Sequence, residues 1–274
     1  MDLKIFLVIK KWNMSIKKNN NILKTSISDN NNYRQICNLA YKDDNIFKNF
    51  KNNQTYKEIL EHTTYEQGKM YYDIIKNNNP NLLNQEIIEK VICNDDVGNP
   101  NKYSYGNIFI SPSTLRYLKV ISDLINKYND LNDKDIIEIG VGYGGQSLLI
   151  NKLFNIKSYT LVDLDEVLNL SRKYLSNFNF DNLLFYNQFE LPEKEYDLVI
   201  SNYAFSECTK ETQDIYIDKI LNSSEHGYMT NNNISHIFNV MSYSSSELKL
   251  IIDDDVEISN EAPLTHKDNY MLTW

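Results

Sequence analysis

From residue 131 onward, short apolar runs alternate with amphipathic stretches. Asp135-Ile-Ile-Glu-Ile139, Ser158-Tyr-Thr-Leu-Val-Asp163, residues 183 to 187 and Tyr196-Asp-Leu-Val-Ile-Ser201 read as buried strands. Between them, helical spacing predicts a helix from about 144 and a second over 165 to 176, carried by Glu166-Val-Leu-Asn-Leu-Ser-Arg-Lys-Tyr-Leu175. A helix over 209 to 222 and a strand at Gly227-Tyr-Met-Thr230 follow, and Ser244-Ser-Ser-Glu247 is a capping box opening a short helix. Such alternation predicts an α/β fold, a parallel sheet with helices on both faces. The end of the chain differs. Val256-Glu-Ile-Ser259 and Asn269-Tyr-Met-Leu-Thr-Trp274 are strand-like and joined without room for a crossover helix, so they should pair antiparallel.

Residues 29 to 129 carry a mainly helical pattern. Thr55-Tyr-Lys-Glu58 reads as a capping box, and Ser111-Pro-Ser-Thr-Leu-Arg-Tyr-Leu118 starts a helix with proline in its first turn. The turn-rich Asp95-Asp-Val-Gly-Asn-Pro-Asn-Lys-Tyr-Ser-Tyr105 lies between them. Two regions are expected: a helical lid or substrate region over 1 to 130, and a sheet domain over 131 to 274. Met1-Asp-Leu-Lys-Ile-Phe-Leu-Val-Ile-Lys10 reads as a strand or arm, because Asp2 precedes its apolar run and no small-residue cleavage site follows. No run approaches a membrane-spanning length.

Composition narrows the partners. The net charge is -9 with 24% charged residues, so the chain supplies no ready basic face for a phosphate backbone, and a nucleic-acid substrate is not expected. Cys37, Cys93 and Cys208 are far apart and form no metal-ligand or disulfide pattern, which fits a reducing, cytoplasmic setting. Asparagine, isoleucine, lysine and tyrosine are over-used, and runs such as Asn19 to Asn21, Asn30 to Asn32 and Asn77 to Asn79 read as loops and fillers. Against that bias the arginines Arg34, Arg116 and Arg172 stand out, since a planar fork is what lysine cannot replace.

The chemistry is concentrated in one place. Of eight glycines, Gly140, Gly142, Gly144 and Gly145 fall in Glu138-Ile-Gly-Val-Gly-Tyr-Gly-Gly145, directly after the 135-to-140 strand. A strand that turns sharply into a helix needs residues without Cβ, both for the turn and for a ligand to lie on the backbone near the helix N-terminus. The spacing satisfies Gly-x-Gly-x-x-Gly, the dinucleotide pattern, and equally Gly-x-Gly-x-Gly preceded by Glu138. Glu138 stands where a carboxylate can face the ammonium and sulfonium of S-adenosylmethionine, and Asp163 ends the next strand where an acid can take ribose hydroxyls.

On these residues the chain resembles the sugar O-methyltransferases of the class I S-adenosylmethionine-dependent superfamily. The resemblance rests on Gly98-Asn-Pro100, Ser111 to Tyr117, Glu138 to Gly145, Leu161-Val-Asp163, Ser201-Asn-Tyr-Ala-Phe-Ser-Glu207, Gly227 to Thr230, and the tail Glu261-Ala-Pro-Leu-Thr265 with Asn269-Tyr270 and Trp274. It covers most of the chain from about residue 95. The glycine loop speaks for the superfamily, whereas Ser201 to Glu207 and Ser111 to Tyr117 are the specific part; His226 departs from the pattern. The resemblance implies a Rossmann-like seven-stranded sheet whose last strand is antiparallel, a helical lid before it, and methyl transfer from S-adenosylmethionine to a hydroxyl of a free, nucleotide-linked or glycan sugar. Methylation of another small acceptor, an inactive methyltransferase-like binding protein and a nicotinamide-dependent oxidoreductase remain alternatives.

A sugar hydroxyl has a high pKa and gains from a base beyond the end of the fourth strand of the sheet domain. Glu207 is the first candidate, with His236 and His266 as further ones and His62 after them. Cofactor contacts are expected from Glu138, Gly140, Gly142, Gly144, Asp163, Asn187, Gln188, Ser201, Asn202 and Arg116, the arginine pairing with a methionine carboxylate or a sugar-nucleotide phosphate. Tyr203, Tyr103 and Tyr105 are candidates for the sugar. No metal is expected: the fourth strand ends in Ser201-Asn202, its acid Asp197 stands at the opposite end, and Asp253-Asp-Asp255 more plausibly solvates a helix end. No membrane partner is expected, and the sequence does not fix the oligomeric state.

Overall fold

The computed structural model describes residues 25–252 and 255–274, so the segment Met1 to Lys10, the Asn19 to Asn21 run and the acids Asp253 and Asp254 lie outside the described residues. The N-terminal part consists of helices α1 (Asn31–Lys42), α2 (Asp44–Phe47), α3 (Gln54–Lys57), α4 (Tyr65–Asn78) and α5 (Gln85–Val91). It continues through a small hairpin, β1 (Tyr103–Tyr105) with β2 (Ile108–Ile110), into the long helix α6 (Pro112–Tyr128). The alternating region follows as β3 (Asp135–Ile139), α7 (Gly145–Leu153), β4 (Ser158–Val162), α8 (Asp165–Leu175), β5 (Leu183–Tyr186) and β6 (Tyr196–Asn202). Helix α9 (Lys210–Lys219), β7 (Ser224–Asn232), α10 (Ser245–Ile252), β8 (Glu257–Asn260) and β9 (Asn269–Thr273) complete it.

The sheet has seven strands in the order β5-β4-β3-β6-β7-β9-β8. The pairs among β3 to β7 are parallel, and β9 runs antiparallel to both β7 and β8. This is the Rossmann-like sheet with an antiparallel last strand that the sequence predicts. The strand order reverses direction at β3, whose neighbours are β4 and β6, so the crevice at the C-terminal ends of these strands is where a ligand belongs.

Two apolar layers sandwich the sheet. Ile136, Leu161, Leu198, Ile200, Tyr228 and Met271 pack with α6, α7, α8 and the N-terminal helices. The alternate residues Ile137, Ile139, Val162, Val199, Met229 and Leu272 pack with Phe205, α9 and Leu248 of α10, as the period of two along a strand requires. Helix α6 is buried along most of its length, so the N-terminal helices share the sheet's core instead of standing apart from it. None of the helices among the described residues is long and apolar enough to cross a membrane.

Local signals were partly misplaced. Asn53, not Thr55, caps α3, its side chain accepting from the amides of Thr55 and Tyr56. The complete capping box of this region is Thr64 with Gln67, at the start of α4. Ser111 does cap α6 with Pro112 behind it, and Ser244 pairs reciprocally with Glu247 at the start of α10. The turn-rich stretch before α6 ends in the β1–β2 hairpin, which has too few residues to show an alternating pattern.

The Ser111 motif does more than cap a helix. Asp95, 3% exposed, accepts from the Ser111 amide at 2.6 Å, the Ser111 hydroxyl at 2.7 Å and the Thr114 hydroxyl at 2.6 Å. Beside it, the Asn94 amide donates to Thr114 Oγ1 and to the hydroxyl of Tyr143 in the glycine loop, while its Oδ1 accepts from Tyr174. The buried Lys51 donates to the Asn94 carbonyl at 2.5 Å and lies 4.1 Å from the Tyr143 ring centroid and 4.9 Å from that of Tyr174. The rings stand in for a carboxylate partner, and burial pushes the lysine pKa down to about 8. This polar tether holds the N-terminal helices against the loop.

Asp95→Ala leaves three buried donors without their acceptor and should cost on the order of 3 kcal/mol. Urea unfolding checks this, and a loss below about 1 kcal/mol would show that the tether is not fastened as described.

Candidate functional site

Three successive sharp turns end β3. Gly140, Gly142 and Gly144 all have positive φ, at 78°, 55° and 92°. A Cβ on Gly140 would stand 2.0 Å from the Cβ of Ala204, and one on Gly142 would stand 2.8 Å from Leu60 Cδ1. The first contact shows how closely the loop passes the end of β6, and the second shows that the segment between α3 and α4 lies over the loop. Gly144 is the N-cap of α7 and offers no side-chain cap, so the first amides of that helix are left for other acceptors.

Two carboxyls flank the loop. Glu138, 3% exposed, sits opposite Leu161 of β4 and Ile200 of β6 and accepts from the Tyr159 hydroxyl at 2.9 Å. Burial pushes its pKa up to about 8, Tyr159 opposes the shift, and the nearby charge of Asp163 adds to it. Asp163 accepts from the Gly142 amide at 3.0 Å and the Leu164 amide at 2.8 Å. Burial raises it to about 6 in spite of those bonds. Each of its oxygens takes one backbone donor and keeps capacity for another, which suits a vicinal diol.

Arg116, on α6, lies within electrostatic reach of Glu61, Tyr71, Tyr203 and Glu138. Burial acts to lower its pKa, and the surrounding phenols and the Glu61 carboxyl outweigh that, so it stays charged. Among the described residues no carboxylate comes within ion-pair distance of it. His62, which follows Glu61, is held neutral: desolvation first and the Arg116 charge second push its pKa down to about 4. At that value it is a weaker base than an ordinary histidine, on a residue that is itself exposed.

At the end of β6, Tyr203 has a φ of 70°, whereas every other described non-glycine residue with positive φ is an asparagine or aspartate. A bulky side chain there is strained, so its surroundings must hold it. They do so through the Tyr203 amide, which donates to the Thr230 carbonyl at 2.6 Å, and the hydroxyl, which donates to Glu261. Glu261 also takes Thr265 and Asn269, so the tail motif Glu261 to Thr265 anchors the tyrosine. Asn202, partly exposed at the same strand end, makes no side-chain hydrogen bond among the described residues.

Glu207 follows in a single 3-10 turn. Its Oε1 accepts from the Asn232 side-chain Nδ2 at 2.9 Å and its Oε2 from the Ser28 hydroxyl at 3.1 Å. Burial raises its pKa and those two donors oppose the rise. Residues 25 to 29 run beside it, with Ser26 bridged to Cys208 and the Ile27 amide donating to the Glu207 carbonyl.

Other candidates are placed elsewhere or are already engaged. Tyr105 is a correction: it is 1% exposed, packed on Tyr65 and Tyr72 with its hydroxyl on the Tyr65 carbonyl, and it offers no face to a sugar. Tyr103 lies on the hairpin's exposed side against Tyr65. Ser201 is fully buried, and its hydroxyl donates to the Ile139 carbonyl and accepts from the Phe205 amide, so it ties β3 to the turn after β6. Asn187 is held by Asp165 and Glu190, and Gln188 is buried beside it. His236 is exposed in a 3-10 turn, and His266 accepts from the Asp268 amide within the terminal hairpin. His226 stacks on Tyr128 in the first half of β7, and Asp197 binds Lys134 and the Asp135 amide, so both lie away from the crevice. Glu61 and Leu60 are the site residues that the sequence did not suggest.

No family model and no curated protein matches the chain. Solved structures similar to the chain include an rRNA methylase from Streptococcus thermophilus, 14% identical, covering 53% of this chain and 88% of that one with a TM-score of 0.41. The PH0226 protein from Pyrococcus horikoshii is 12% identical over 59% of this chain and 88% of its own, with a TM-score of 0.45. Likeness at this level leaves the functional reading to the residues themselves.

Proposed function

We propose that the protein is an S-adenosylmethionine-dependent O-methyltransferase with a sugar as acceptor. The observation that carries the cofactor is the buried Glu138 and the partly buried Asp163, on either side of a three-glycine turn that opens onto the N-terminus of α7, which has no side-chain cap. A sulfonium or ammonium beside Glu138 favours its ionised form, and ribose hydroxyls suit Asp163. The cofactor supplies an electrophilic methyl group when bound. The chain supplies position: Glu138 faces the cation, Asp163 orients the ribose, Asn187 and Gln188 border the far end, and Arg116 takes an anionic group. The sugar reading is supported by the resemblance in Ser111 to Tyr117 and Ser201 to Glu207, with Tyr203 and Asn202 lining the acceptor side and Glu207 accepting or orienting the hydroxyl proton.

Thermal shift against S-adenosylmethionine, S-adenosylhomocysteine and NAD, followed by free and nucleotide-linked sugars, tests this. S-adenosylhomocysteine at about 100 times its Kd should add roughly 2.7 kcal/mol. Tight NAD binding without S-adenosylhomocysteine binding would overturn the cofactor assignment.

A further inference from the structure

Among the described residues, Arg34 is the arginine that holds two carboxylates at once. Its Nε donates to Asp29 Oδ1 and its Nη1 to Glu166 Oε2, both at 2.7 Å. The two acids belong to different parts of the fold. Glu166 lies in the first turn of α8, three residues after Asp163 at the end of β4, whereas Asp29 closes the segment that runs beside Glu207 and has a side chain only 6% exposed. One planar fork reaches both, where a lysine would bring a single point charge on a flexible stem.

Asp29 sets the shape of its segment. Its Oδ2 accepts from the Thr25 amide at 3.1 Å and the Thr25 hydroxyl at 2.8 Å, and its own amide donates to the Ser26 hydroxyl at 3.0 Å. Residues 25 to 29 are thus wound around one carboxylate. The turn is laid along the backbone after β6, with the Thr209 amide donating to the Thr25 carbonyl and the Ile27 amide to the Glu207 carbonyl, each at 2.9 Å. From it the Ser28 hydroxyl reaches Glu207 Oε2. The contacts therefore run without a break from α8, beside the ribose-side acid, through Arg34 and Asp29 to the carboxylate on the acceptor side.

We propose that Arg34 is a positioning residue for methyl transfer: it braces the turn of residues 25 to 29 against α8, and through Ser28 it fixes the Glu207 carboxylate toward the acceptor hydroxyl. This rests on the reading of Glu207 as the group that accepts or orients the hydroxyl proton, and deepens it. Asn232 holds one oxygen of that carboxylate from β7 and Ser28 the other from the turn, so its plane is set from both sides only while the turn stays in place.

The test is a double-mutant cycle on the full chain, with turnover followed as S-adenosylhomocysteine release from S-adenosylmethionine and with free and nucleotide-linked hexoses as acceptors. Arg34→Lys keeps a cation beside Asp29, the more buried acid, and cannot hold both. It should lower kcat by about tenfold to a hundredfold, the scale expected when a reacting group is slightly misplaced, while Tm stays within about 4 °C and S-adenosylhomocysteine affinity is nearly unchanged. Glu166→Ala, which removes the other end of the brace, should lower kcat in the same way. In a Glu207→Gln background neither change should lower kcat further, because the group being positioned is gone. Equal losses in the two backgrounds, or full activity of Arg34→Lys and Glu166→Ala, would overturn the positioning role and leave Glu207 as the base. A fully active Glu207→Gln, or a wild type that turns over none of the hexoses, would instead sink the reading on which the role rests, and the role with it. Should Arg34→Lys fail to fold, Glu166→Ala carries the cycle, since it leaves Asp29 paired with Arg34.

Discussion

Glu138→Gln should make the protein more stable and a poorer binder of S-adenosylmethionine. The carboxyl is 3% exposed and its pKa is raised to about 8 from an ordinary 4.5, first by burial. Below about pH 4.5 the group is protonated in folded and unfolded chains alike and adds no pH-dependent penalty. As pH rises toward about 8, the unfolded chain releases the proton that the folded chain retains, so folding is penalised increasingly, and the penalty is complete above that range. The glutamine variant escapes it. Its gain in Tm should therefore be near zero at pH 4, grow through neutrality and level off above pH 8, reaching about 5 to 10 °C for a penalty on the order of a few kcal/mol. Binding runs the other way. A sulfonium near Glu138 favours the carboxylate, so the wild type should release up to one proton on binding S-adenosylmethionine at pH 7, visible as a buffer-dependent binding enthalpy. Glu138→Gln should abolish that release and weaken S-adenosylmethionine more than S-adenosylhomocysteine, which lacks the charge. A Tm difference that does not change with pH would show that the carboxyl is not held protonated.

The same residues show what the sequence could disclose. The glycine turn, Glu138 and Asp163 were legible because each follows an apolar run whose length and spacing place it at a strand end, and the antiparallel β9 was legible from the short connection after β8. Glu61 was not. It lies in a short segment between α3 and α4, and only the packing of Leu60 on Gly142 brings it over the loop, a contact between residues 82 apart in the chain. Tyr105 failed for the opposite reason: Gly68, inside α4, leaves the space its hydroxyl fills, so a tyrosine that looked free in a turn is a core residue. Ser201 belonged to the specific motif, yet its hydroxyl is spent on the backbone of Ile139 and Phe205. A serine that fixes the geometry of a turn looks the same in sequence as one that holds a ligand.

That distinction bears hardest on Glu207, for which the two uses predict different kinetics. The carboxylate is held by Asn232 and Ser28 beyond the end of β6, close to the strained Tyr203 and the strand end that carries Asn202. If it accepts the hydroxyl proton, Glu207→Gln should lower turnover by about a hundredfold to ten-thousandfold while leaving S-adenosylhomocysteine affinity nearly intact. Its pKa is raised by burial and held back by its two donors, so wild-type turnover should fall as pH drops through a midpoint above 4.5. Ser28→Ala, which removes a donor favouring the charged form, should move that midpoint upward, and Glu207→Gln should remove it. A residue that merely braces the turn would change stability and move neither limb. Turnover, followed as S-adenosylhomocysteine release with the acceptor found in the sugar panel, should be indifferent to a chelator. Loss on chelation with recovery in magnesium would assign the chemistry to a metal, and a fully active Glu207→Gln would move the base to His236 or His266.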